Sequence, residues 1–169
     1  MVSEREVGEY LLDCFDTVYR VLGQGAPMLL NDAYVVRTYE AARAFGGVAL
    51  ELREYLGGAS AQPVDALEGV LVESLAGDPT GAMTLFALVM VVGPRLLVSL
   101  LDARQAIGQG ALVAVCEHAS RVVVAEMRAA GETAKDQAPI DDPHWQATAR
   151  DLTETLEGAG YVESMGISR

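Results

Sequence analysis

Arg95, Ser99 and Asp102 on one predicted helix, with His118 and Glu126 on the next, are the polar residues placed where side-chain chemistry is conceivable. At roughly 100° per residue, Arg95, Ser99 and Asp102 fall within about 60° of one another on a wheel otherwise filled by Leu and Val. Glu126 falls between Val115 and Ala119, near the middle of an apolar face, and His118 sits at the flank of that face. A short turn at Gly108 to Gly110 makes the two helices antiparallel neighbours, with Arg95 about as far from the turn as Glu126. An Arg–carboxylate pair in a low-dielectric interior is the expected outcome.

Three readings of this group stay open: an internal ion pair that fixes helix register, a polar floor that orients a greasy ligand in an apolar pocket, or groups that reach solvent. A buried Glu126 deprived of its arginine would titrate upward and become a candidate acid or base.

Other chemistry finds little support. His118 and His144 are the only histidines, neither has a Glu three positions before it, and a helical di-iron site needs two Glu-x-x-His motifs. There is no phosphate-binding glycine loop, zinc-protease histidine pair, nucleophile elbow or calcium loop. Cys14 and Cys116 have no paired spacing and fall on apolar helix faces, the pattern of reduced, buried thiols. His144, at the second position of a predicted helix, faces the positive end of the helix dipole, which disfavours its protonated form. No metal and no cofactor is expected.

The elements that hold these residues read as helices throughout. Hydrophobic residues make up 51% of the 169 and charged ones 21%, which excludes a disordered chain and suits one helical domain with a sizeable core. The most apolar stretch runs from Ala82 to Ile107, and its first half, Met83 to Val92, carries no charge. A helix apolar on all sides needs covering all round. Pro94 removes a backbone donor and disfavours helix at the residue before it, so a kink or break is expected at Gly93-Pro94. Its upstream half is then too short to cross a bilayer, and a buried hairpin of core helices is favoured over a membrane span.

The other helices supply the cover. Ser3 and Glu6 have capping-box spacing at the start of the first, where Asp16 and Arg20 form an i,i+4 pair. The second, about Asp32 to Leu56, keeps Tyr34, Thr38, Ala41, Phe45, Val48 and Leu52 in one stripe straight through Gly46-Gly47. Val36, Tyr39 and Leu50 form a second stripe well round the same helix, as expected of a helix that lies between two layers or faces a second copy of the chain. A third helix follows Pro63 and stops at Gly77. Ala111 to Ala130 is long and amphipathic, with Glu117 set to pair with Arg121 and Gly131 as its end. A polar linker at about 131–141 leads to a docking helix at about 142–157, anchored by Trp145 through the stripe Trp145, Ala149, Leu152 and Leu156.

The expectation is an all-α bundle of six or seven helices, a single domain over residues 1–169. A net charge of −12, from 24 acids against 12 bases, excludes nucleic acid, whose phosphates must be met by Lys and Arg. The acidic start, MVSEREVGEY, lacks the basic and apolar regions of an export signal, which points to the cytoplasm, and the Arg-rich, Lys-poor composition points to a bacterial source. Function reads as a non-catalytic interaction or assembly protein, with a homodimer or another protein as partner. Alternatives are a binding protein for a small apolar ligand, held between the central helices, and a helical enzyme without a recognisable motif.

Overall fold

The computed structural model describes residues 2–139 and 141–158; the segment Tyr161–Arg169, which carries no readable pattern, lies outside them. Among the described residues the chain forms α1 (Glu4–Gly25), α2 (Asp32–Tyr55), α3 (Asp65–Gly77), α4 (Ala82–Ile107), α5 (Ala111–Ala134) and α6 (Pro143–Gly158), and no strand. It is an all-α bundle.

The helix starts follow from local chemistry. Ser3 Oγ accepts from the Glu6 N–H at 3.2 Å while Glu6 Oε2 accepts from the Ser3 N–H at 2.7 Å, the reciprocal capping box read from the sequence. Asn31 Oδ1 caps α2 by accepting from the Tyr34 N–H at 3.2 Å. The two carboxylate oxygens of Asp78 take the Thr80 and Met83 N–H groups at 2.9 and 3.2 Å and so tie down the start of α4.

A single short turn, Ala26–Met28, joins α1 to α2, so the two run antiparallel: Glu4 meets Tyr55, Asp16 meets Arg53, and Tyr19 lies on Gly46. Their inner faces interlock through Phe15 and Phe45, whose ring centroids are 6.0 Å apart. The first stripe of α2 is the buried one, with Tyr34, Thr38, Ala41, Phe45, Val48 and Leu52 all inside.

α4 is the central element and touches each of the other five helices. It is one 26-residue helix, not the hairpin expected from Pro94. The interruption takes the form of a π-helical turn over Leu88–Val92, and the chain then passes through Gly93 with helical angles, φ −58° and ψ −51°. The physical reason is that Gly93 bonds five residues back, its N–H reaching the Leu88 carbonyl. Widening the helix by one residue there accommodates the proline without ending it. By length and composition alone α4 is apolar enough to cross a membrane, and 61% of its most apolar window is buried inside the fold.

Two further expectations change. α5 runs through Gly131 to Ala134, and Ala134 and Ala138 are buried, so the polar connection before α6 is shorter than 131–141. The i,i+4 pairs also give way to contacts between helices: Asp16 pairs with Arg53, Arg20 with Glu68, and Glu117 with Arg104. A half-buried partner on a neighbouring helix outcompetes an exposed one on the same helix, which is worth only a few tenths of a kcal/mol. α6 docks as its stripe implies, with the Trp145 ring 4.9 Å from that of Phe86 at a tilt of 49°, and with Leu152 and Leu156 buried.

Candidate functional site

The polar residues of α4 and α5 do not gather into one site. Arg95 pairs with Glu157 at the end of α6. Glu126 Oε2 instead accepts from Arg37 Nη2 of α2 at 2.6 Å, and both side chains are more than four-fifths buried. His118 Nδ1 lies 2.8 Å from Glu51 Oε1, also on α2. Ser99 is buried and Asp102 half-buried on α4. Arg95, His118 and Glu126 thus go to three different partners, and the expected Arg95–Glu126 pair does not form.

The cause is the position of α5 between α2 and α4. Met127 is the residue that faces α4, pressed against Gly93, where an added Cβ would stand 2.5 Å from Met127 Cγ. Glu126 is about 100° round the helix from Met127 and turns to α2. Nothing in the sequence of α4 and α5 alone could reveal Arg37 as its partner. Val89 likewise reaches Gly131, 3.7 Å from a Cβ placed there, so α4 and α5 are in direct contact at the level where a ligand cavity was expected.

The cysteines are inert by their surroundings. Cys14 and Cys116 are buried and not joined in a disulfide, and burial pushes the Cys116 thiol up to about 11, above its ordinary 9.0, against a smaller downward pull from Arg104. A protonated, inaccessible thiol is no nucleophile. His144 sits on the surface, edge-on to Trp145 at 5.5 Å.

The surface feature that does concentrate binding chemistry is the outer side of α2. Val36, Tyr39 and Leu50 are 56%, 56% and 53% exposed on a helix whose opposite side is core. Between that side and α1 runs an open groove of about 700 Å³, with Gly46-Gly47 in its lining and Tyr19, Tyr39, Leu50, Arg20, Arg43 and Arg53 around them. Tyr19 packs flat on Gly46, where a Cβ would come within 2.6 Å of its ring, whereas nothing lies within 4 Å of the same position on Gly47. The groove is therefore shaped by a missing side chain as much as by those present. The sequence signalled Val36, Tyr39 and Leu50 by their angle on the wheel, and Arg43 and Arg53 belong to the same helix; Tyr19 and Arg20 carried no such signal, because the α1–α2 pairing brings them alongside.

No protein family, characterised protein or solved structure matches this chain.

Proposed function

We propose that this is a non-catalytic interaction or assembly protein of the cytoplasm, which docks through the outer side of α2 on a second copy of itself or on another protein. The observation that carries the reading is the clustering of Val36, Tyr39 and Leu50, each more than half exposed, along one uncovered helix face. Single exposed apolar residues are ordinary. Three on one stripe, two of them lining an open groove that Tyr19, 45% exposed, also lines, make this face the candidate interaction site. Tyrosine and arginine, the residue types that dominate binding hot spots, are both concentrated there.

Size exclusion with light scattering over a range of concentrations tests the self-associating form. Pairing with a second copy would give a species of twice the monomer mass that reverts to monomer in Tyr39→Glu and Leu50→Glu, with unchanged circular dichroism because both side chains are on the surface. A monomer at every concentration, indifferent to both substitutions, removes self-association and leaves docking on a different protein.

A further inference from the structure

The groove beside α2 differs in charge from the molecule that carries it. The chain holds 24 acids and 12 bases, yet the groove is lined by Arg20, Arg43 and Arg53 and by no Asp or Glu. Arg20 is bound at its rim by Glu68 at 3.2 Å, and Arg53 by Asp16 at 3.1 Å. A guanidinium offers five N–H donors, so these contacts leave capacity for a further acceptor. Arg43 forms no ion pair among the described residues and is exposed. Of the three groove arginines, it is the one without a carboxylate partner among the described residues.

We propose that this groove receives an acidic amphipathic helix of a partner protein, whose apolar stripe lies on Tyr19, Tyr39 and Leu50 and whose carboxylates meet Arg43, Arg20 and Arg53. The proposal rests on the reading of α2 as a docking face and names the chemistry of what docks. The lining spans residues 39 to 53 of α2, about 21 Å at 1.5 Å per residue, which matches four turns of an incoming helix. Apolar and aromatic contact supplies the affinity, while the arginines select the partner and orient it, the division expected of exposed charges at an interface. A two-fold pairing of identical faces would bring no carboxylate of the groove lining to Arg43, whereas an acidic helix does.

The test is a selection from a displayed library of random 16-residue helix-forming peptides against the full chain. Selected peptides are then titrated by fluorescence anisotropy against the wild type, Arg43→Glu, Arg43→Gln, Leu50→Glu, and Val72→Glu as a control on α3. The expected result is enrichment of Glu and Asp flanking an i, i+3, i+7 apolar stripe. Binding should be at least tenfold weaker in Arg43→Glu and Leu50→Glu, less weakened in Arg43→Gln, unchanged in Val72→Glu, and weaker as salt is raised. Neutral or basic peptides lost on Leu50→Glu would overturn the acidic assignment and leave α2 as the docking face. Acidic peptides indifferent to both groove positions would bind elsewhere and overturn it too. A wild-type dimer that admits peptide only after Leu50→Glu would make a second copy the occupant and equally overturn it. No enrichment against a monomeric chain would remove the proposal and the docking reading together.

Discussion

Cys116 shows how burial fixes the protonation of a single side chain. Its thiol is pushed up to about 11 from 9.0, chiefly by loss of hydration, and Tyr55 is raised to about 12 from 10.0, first by its hydrogen bond to Glu4 and then by burial. In the unfolded chain each group ionises at its ordinary value, so above that pH the folded state keeps a proton the unfolded state has lost. Stability is therefore complete below about 9 and falls as pH rises through 9 to 11 for Cys116 and 10 to 12 for Tyr55. At about 1.4 kcal/mol per unit, the rise from 9.0 to about 11 sets an upper limit of about 3 kcal/mol on the Cys116 contribution. Urea unfolding across this range should show a shallower decline in Cys116→Ala than in the wild type, and an identical decline would mean that the thiol does not resist ionisation.

Arg37 and Glu126 make the complementary case, a charge that is buried because it is paired. Both side chains are mostly inside, and Arg37 Nε is buried with no hydrogen-bond partner among the described residues. Removing Arg37 strands Glu126, whereas Arg37 also pairs with Glu40 at 3.1 Å, so Arg37→Met is expected to cost about 3 kcal/mol, most of it recovered in the double substitution Arg37→Met with Glu126→Met. Denaturant midpoints measure both, and a single substitution within about 0.5 kcal/mol of wild type would show Glu126 to be solvated.

At the scale of elements, glycines decide how closely helices approach. Gly93 has Met127 Cγ and the Leu88 carbonyl at 2.5 and 2.6 Å from the place of a Cβ. Neither backbone nor core can yield cheaply, so Gly93→Ala should destabilise by about 3 kcal/mol, at the upper end of overpacking costs. Gly47 faces open space in helical conformation. Gly47→Ala is expected to stabilise α2 by about 0.5–1 kcal/mol while narrowing the groove and weakening whatever docks there. Thermal melting paired with anisotropy separates the two effects, and a gain in stability with no loss of binding would place the ligand away from the Gly46-Gly47 floor. The existence and extent of α1 and α2 were legible because their caps and stripes are local, and α3 was legible by its stripe and its stop at Gly77, although it starts at Asp65, beyond Pro63, with no side-chain cap. The π-turn in α4 was not, because whether Pro94 breaks a helix or is absorbed depends on what packs against it, here Met127 and the flanking helices.

For the whole molecule, α6 is the closing piece. It meets α3 and the front half of α4, and its anchor is the single tryptophan, half-buried against Phe86. Tryptophan fluorescence therefore reports the docking of α6, while circular dichroism reports the bundle. Trp145→Ala should lower stability by about 2–3 kcal/mol, somewhat less than a fully buried tryptophan would, and shift the dichroism midpoint with it if α6 and the bundle unfold as one unit. A dichroism midpoint that stays in place would mark α6 as a separately unfolding segment.

Sequence alone determined the all-α class, the central role of Ala82 to Ile107, the inner stripe of each long helix and the outward position of Val36, Tyr39 and Leu50, since all of these follow from the fixed periodicity of one helix. Tertiary structure decided which charges meet, that Glu126 goes to Arg37 and Arg95 to Glu157, that Pro94 is carried by a π-turn, and that Tyr19 and Arg20 of α1 border the exposed face of α2. Those outcomes depend on how helices far apart in the chain are rotated against one another, and the packing of the whole core sets that rotation.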